Sequence, residues 1–196
     1  MQEILDANYS ITKYLRPEVH EEIKAIEEKI ILSYNMYEDA SEKHMILCTQ
    51  DVLLMDQNNL TPQEFFEHNE ERKQIGNLMN VIYNDVEKVI EKKLIDIVST
   101  NVILSNHLTD FPFEQYLKPE IIPIVKSINQ KVNQLKQISN EYSRIYQVID
   151  NSSYTKEQEK KIKLISYIVK VNKEVFSSAC YQERENLAKI IYENFK

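Results

Sequence analysis

The chain contains very little glycine: a single residue, Gly76, in 196. An average protein of this length has about fourteen, at roughly 7% usage. Glycine supplies the left-handed conformations of tight hairpins, bulges and phosphate-binding loops, so its scarcity argues against all of these structures. Hydrolases that hold a serine in a glycine-flanked elbow are excluded for the same reason. Helices joined to helices need no glycine, and the composition therefore predicts an all-α fold.

Long apolar runs and a cysteine framework are also missing. No stretch of eighteen apolar residues is present, so no membrane-spanning segment is predicted. The first ten residues, MQEILDANYS, are acidic and do not resemble a secretory signal. The two cysteines, Cys48 and Cys180, lie far apart, which is typical of reduced thiols in a cytosolic protein. We therefore expect a cytoplasmic protein that does not bind membranes.

The net charge of −7 is unevenly distributed along the chain. Residues 1–98 hold 20 acidic and 10 basic side chains, whereas residues 118–173 hold 11 basic and 5 acidic ones. The acidic first half argues against nucleic-acid binding, which needs basic surface to displace counterions. The basic stretch 118–173 has two interpretations: it forms an interface, or it packs on the acidic half of its own chain.

Capping residues mark the helix boundaries. Pro17 precedes an acidic segment with helical periodicity, and the sequence Thr61-Pro62-Gln63-Glu64 predicts a capping box. The helix that begins there is expected to run toward Asn106, with its end marked by the segment 108–112. The segment 41–57 is also predicted to be helical, because no turn sequence joins its apolar runs into a hairpin.

Two further features of the predicted helices are the single glycine and a regular spacing of apolar residues over 121–149. Gly76 lies inside the helix that begins at the capping box and marks either a kink or a close approach by another helix. Apolar residues over 121–149 alternate at spacings of four and three, interrupted only by Ser139, which predicts a core element. Another helix follows from Lys156, and a short final one is predicted near 182–195. The prediction is one domain, 1–196, an elongated bundle of six or seven helices, two or three of them long, with a candidate sub-division near 109–119.

The residues suggest two catalytic hypotheses. Glu64 and His68 lie one helical turn apart with Glu67 between them, and His44 could join them from a neighbouring helix as a metal site. His44 also precedes Cys48 by one turn, a spacing at which an imidazole can activate a thiol. The opposing interpretations are a solvated helix face for the first group and a small core residue for Cys48. We expect no cofactor and no metal.

Protein recognition is the favoured function. The chain has twelve tyrosines and no tryptophan, and tyrosine combines apolar area with a polar tip at interfaces. The carboxylates of Glu64, Glu67, Glu70 and Glu71 are predicted to steer a basic partner protein. The expected function is that of a non-enzymatic inhibitor, an immunity-type neutraliser or an assembly adaptor. The alternatives are a metal-dependent enzyme at the Glu/His site and a homo-oligomeric structural protein with 121–149 as its seam.

Overall fold

The protein is helical throughout almost all of the chain that the structure covers. The computed structural model describes residues 2–57, 59–106 and 111–195. About 85% of these residues are helical, and β pairing among them is limited to two isolated bridges, Leu15 with Val102 and Leu117 with Phe195. No helix in these ranges is long and apolar enough to cross a membrane. The all-α prediction is confirmed.

The helices are fewer than the sequence predicted. Their bounds are α1 Gln2–Asp6, α2 His20–Asp56, α3 Pro62–Asp85, α4 Glu91–Asn101, α5 Ile122–Asp150 and α6 Lys156–Asn194. A π turn, Val86–Ile90, joins α3 and α4 into one continuous run, so the described residues form five helices, and the predicted six or seven was wrong. The short final helix predicted near 182–195 is part of α6, and the segment 41–57 is continuous with the helix before it, because neither proline nor glycine interrupts α2 or α6. These two helices have 37 and 39 residues.

The beginning of α3 follows the sequence prediction closely. Thr61 Oγ1 accepts a hydrogen bond from the backbone N–H of Glu64 at 3.2 Å, and Glu64 Oε2 accepts one from the N–H of Thr61 at 3.0 Å. This is the reciprocal capping box. It satisfies two backbone donors at a helix terminus that would otherwise need water.

The other end of the run differs from the prediction. α4 ends at Asn101 rather than near Asn106. The chain leaves the helix there because Arg16 donates its N–H to the carbonyl of Asn101 at 3.0 Å, and Ile103 donates to the carbonyl of Tyr14 at 2.8 Å. The predicted end at 108–112 lies partly outside the described residues.

Gly76 lies in regular α-helix. A Cβ atom built on it would meet nothing within 4 Å, so no other described part of the chain approaches the residue closely. The irregular backbone of this helix lies instead in the π turn at Val86–Ile90. Packing within the chain therefore does not require glycine at position 76.

The contacts divide the chain into two compact units. One comprises Met1–Glu27 with Glu91–Lys196, and the other comprises Glu28–Ile90. A sub-division was predicted near 109–119; residues 109 and 110 lie outside the described residues, and 111–119 fall within the first unit. In that unit α6 packs along α5 and also against α4. The N-terminal segment is held by two polar contacts, since Asn172 Nδ2 and the Tyr142 hydroxyl donate to the carbonyl of Tyr9 at 2.8 and 3.1 Å.

The 121–149 stripe is a core element of the first unit, as predicted. Its buried residues in α5 are Val125, Val132, Leu135, Ile138, Tyr142 and Ile149. Ile138 fills the gap that Ser139 leaves in the heptad, because a 3.6-residue helix drifts against a 3.5-residue pattern. Since these side chains are already covered within the chain, the structure lends no support to a homo-oligomer seam built from them.

The basic stretch 118–173 forms ion pairs within its own unit. Lys126 pairs with Glu114 at 2.7 Å, and Lys131 pairs with Glu183 at 2.6 Å. Lys161 lies 3.8 Å from Asp6, which belongs to the acidic first half of the sequence. The partners of the basic stretch therefore come from several segments of the first unit.

Candidate protein-interaction site

The net negative charge of the protein is confined to one of the two units. Residues 28–90, named here the hairpin unit, hold twelve Asp and Glu against five Lys and Arg. The remaining residues hold nineteen of each sign. The whole net charge of −7 therefore belongs to the hairpin unit, which contains the second part of α2 and all of α3. These two helices run antiparallel, because Asp51 contacts His68 whereas Tyr37 lines the same cavity as Tyr83.

Exposed apolar side chains are concentrated in the same unit. Among the described residues, thirteen exposed large apolar side chains lie in the hairpin unit and eight lie in the rest of the chain, which is about twice as long. Those of the hairpin unit are Leu32, Met36, Met45, Ile46, Val52, Leu53, Met55, Phe65, Phe66, Leu78, Val81, Tyr83 and Val89. A concentration of exposed apolar side chains in one unit of a folded protein favours an interaction site there.

Most of these side chains belong to the tip of the hairpin, residues 41–81. Among the residues of the tip that the structure describes, Asp51 alone is buried. Among the described residues of the unit, apolar burial is confined to the other end, at Ile30, Tyr34, Ala40, Ile82, Val86 and Ile90. Hydrophobic burial is the main favourable term in folding, and the tip obtains little of it from its own residues.

A polar cluster joins the two helices of the tip. Asp51 on α2 accepts a hydrogen bond from Nδ1 of His68 on α3 at 2.5 Å, and its other oxygen accepts one from the Arg72 guanidinium. The guanidinium carbon of Arg72 also lies 5.9 Å from the centre of the Phe65 ring. A buried carboxylate is tolerated here because N–H donors satisfy both of its oxygens, and one of these donors is the charged guanidinium of Arg72.

The cluster favours the ionised form of Asp51. The hydrogen bond from His68, together with the guanidinium of Arg72, lowers the pKa of Asp51 below its ordinary value, although burial acts in the opposite direction. Since a carboxylate can only accept, the proton of His68 that faces Asp51 is on Nδ1. The cluster therefore links α2 to α3 through hydrogen bonds to a carboxylate, in a region where no apolar side chain among the described residues is buried.

The four carboxylates predicted to steer a partner have different surroundings. Glu64 is committed to the capping box, where its hydrogen bonds with Thr61 lower its pKa. Glu67 accepts a hydrogen bond from Gln63 at 3.1 Å, and Glu70 is half-buried with Lys73 at 3.8 Å. Glu67 and Glu71 are exposed. Three of the four, Glu67, Glu70 and Glu71, therefore have carboxylates that serve no capping role in the fold.

The residues of the metal hypothesis are not gathered into one site. His68 is bonded to Asp51, whereas His44 contacts Cys48, with Nδ1 3.7 Å from the sulfur. No group of three or more His, Cys, Asp or Glu side chains within the described ranges has a geometry suited to a metal ion. The predicted contact between His44 and Cys48 exists, but Asp51 faces α3 and does not extend it to a triad.

Two open cavities lie along the hairpin unit. One, of about 410 Å³, is lined near the connection between the helices by Met55, Leu60, Thr61, Pro62 and Phe65. The other, of about 310 Å³, is lined by Tyr37, His44, Gly76, Met79, Asn80 and Tyr83. Both α2 and α3 contribute residues to each cavity. The antiparallel pair therefore has two concave sites next to exposed apolar side chains.

Sequence reasoning found the acidic residues of this unit but missed its apolar surface. The runs MIL at 45–47 and VLLM at 52–55 place apolar side chains on adjacent positions, which point to different sides of a helix. Such a helix cannot bury all of them against a single neighbour. This departure from a one-sided stripe was the signal available in the sequence.

Comparisons of the chain with protein-family models, with curated proteins and with solved structures give no match.

Proposed function

We propose that the protein recognises another protein through its hairpin unit and that the partner presents a basic, partly apolar surface. The observation that carries the proposal is the composition of the tip: nine large apolar side chains are exposed there, and the buried residue of its described part is a charged one, Asp51. A partner that covers these side chains would supply the apolar burial that the tip lacks.

The negative charge of the hairpin unit indicates that the partner's surface is positively charged. Twelve acidic and five basic residues surround the apolar side chains of the hairpin unit, and a basic protein would be steered toward them. A second copy of the same unit would meet a like charge, which opposes a symmetric contact. An inhibitor, neutraliser or adaptor that acts by covering a basic surface is consistent with this chemistry.

Affinity capture from a lysate of the organism that makes the protein tests the proposal. The test variant is Glu67→Lys with Glu70→Lys and Glu71→Lys, which changes the net charge by six units. The control is Asp96→Lys with Glu120→Lys and Glu193→Lys, three exposed carboxylates outside the hairpin unit that give the same change in net charge. Substitutions at the surface usually change the free energy of unfolding by less than about 0.5 kcal/mol each, and the half-buried Glu70 keeps 44% of its side chain exposed, so both variants should fold.

The expected result is a protein captured by the wild type and by the control but lost with the test variant. Capture should also weaken with added salt, because exposed charges are screened. Two substitutions of exposed aromatic side chains complete the experiment. Phe66→Ser, in the tip, should reduce capture, whereas Tyr192→Ser, at an exposed position of α6, should leave capture unchanged. Equal capture by all four variants would contradict the proposal.

A further inference from the structure

Neither the backbone conformation nor the packing of the described residues requires glycine at position 76. Gly76 lies in regular α-helix, where glycine is less favourable than alanine. A Cβ atom at this position would meet nothing within 4 Å, so no close packing inside the chain requires its absence. In a chain with one glycine, this residue occupies a position where its conformational freedom is not used.

The surroundings of Gly76 suggest that glycine at this position serves binding instead of folding. The residue lines the cavity of about 310 Å³ together with Tyr37 and His44 from α2 and Met79, Asn80 and Tyr83 from α3. A cavity of this volume has room for a bulky side chain. Because Gly76 has no side chain, the wall of the cavity is bare helix backbone, which another helix could approach closely.

The cavity lies between the antiparallel helices α2 and α3, which form the two walls of a groove. Amphipathic helices bind to partners by laying their apolar face into such a groove, with anchors at spacings of three and four residues. The lining of two tyrosines and a methionine provides apolar area, and Asn80 and His44 provide polar groups beside it. The unit around the groove has a net charge of −7, which selects a helix with basic residues on its polar face.

We propose that the Gly76 cavity is the docking site for a basic amphipathic helix of a partner protein, with one bulky apolar side chain of that helix inserted beside Gly76. The inference rests on the proposed function and specifies the groove and the chemistry of the partner. Gly76 then forms the hole that receives the side chain, and the acidic residues of the unit pair with the lysines or arginines around it.

A model peptide tests the proposal without knowledge of the natural partner. The probe is a helical peptide of leucine and lysine with one tryptophan, roughly 18 residues or about 27 Å long. The protein contains no tryptophan, so the shift in the emission of the peptide reports binding directly. A peptide of the same pattern with glutamate in place of lysine is the charge control. We expect the lysine peptide to bind with a salt-sensitive Kd and the glutamate peptide not to bind.

Variants of the protein locate the peptide. Gly76→Leu fills the cavity and should weaken binding about tenfold or more, because anchor pockets carry most of the binding energy of an interface. Gln74→Leu adds the same side chain at an exposed position of α3 that does not line the cavity, and should leave the Kd unchanged. Asn80→Leu, at a second lining position, keeps the test valid if Gly76→Leu fails to fold by circular dichroism.

Three results would overturn the inference. The first is equal binding of the peptide by Gly76→Leu, Asn80→Leu and Gln74→Leu, and the second is equal binding of both peptides or of neither. The third is self-association of the wild type that Gly76→Leu abolishes, since the occupant would then be a second copy of the chain. If the charge-reversal variant of the tip loses its captured partner while Gly76→Leu keeps it, the proposed function stands and the cavity is not the site.

Discussion

Asp51 and His68 are 17 residues apart in the sequence and 2.5 Å apart in the structure, joined by a hydrogen bond from Nδ1 to a carboxylate oxygen. The contact connects the two helices of the hairpin tip, and Arg72 completes it from one turn further along α3. Because Asp51 is the buried residue of the described tip, the association of the two helices depends there on a charged group. The stability of the hairpin tip should therefore depend on pH.

We predict that the stabilising effect of Asp51 is lost in acid. The folded-state pKa of Asp51 is lower than its unfolded value of about 3.9, so the contribution is fully present above pH 4 to 5 and disappears as the pH falls through the folded-state pKa. Denaturant unfolding of the wild type and of Asp51→Asn at a series of pH values measures it. The difference in the free energy of unfolding should be largest near neutrality and shrink below pH 4.

The control for this prediction is Asp56→Asn, which removes an exposed carboxylate from the same helix. It should leave the pH dependence of the wild type in place. A difference between the wild type and Asp51→Asn that stays constant from pH 7 to pH 2 would show that ionisation of Asp51 does not contribute to stability.

Leu135 should be a strong determinant of stability. It is fully buried in α5, and truncation of buried leucine typically costs about 2–5 kcal/mol. Leu135→Ala should therefore lower the midpoint of denaturant unfolding clearly, whereas Gln137→Ala, at an exposed position of the same helix, should have little effect. If Leu135→Ala keeps its stability but changes the sedimentation of the protein, the stripe is an oligomer seam and not a core element.

Replacement of Gly76 by alanine should stabilise the protein by up to about 1 kcal/mol. Alanine has the higher helix propensity, and its methyl group would enter open space. Thermal and denaturant unfolding of Gly76→Ala check this expectation. A loss of stability would instead show that the lining of the cavity closes on this position in solution.

We expect the purified protein to contain no stoichiometric metal. The imidazole of His68 is engaged by Asp51, and the carboxylate of Glu64 is engaged by the cap of α3. Elemental analysis should detect no metal, and a chelator should leave the melting temperature unchanged, because removal of a bound metal lowers stability. Metal that co-purifies with the wild type and is absent from His68→Ala would support the metal-dependent enzyme instead.

Local chemistry allowed much of the fold to be predicted. The scarcity of glycine indicated helices, the order Thr61, Pro62, Gln63, Glu64 indicated the start of α3, and the spacing of apolar residues over 121–149 indicated a core helix. Each of these signals acts within one or two helical turns. A neighbour a few residues away is present whatever the rest of the chain does, so such signals can be read from the sequence.

The partners of distant residues were decided by the tertiary structure alone. The sequence could not show that Asp51 faces His68 and Arg72, that the carbonyl of Tyr9 is covered by Asn172, or that Gly76 lines a cavity. Such contacts depend on which helices pack together and in which register. Where apolar residues surround a helix on all sides, as at 45–55, several registers bury similar apolar area, and only the assembled fold selects one.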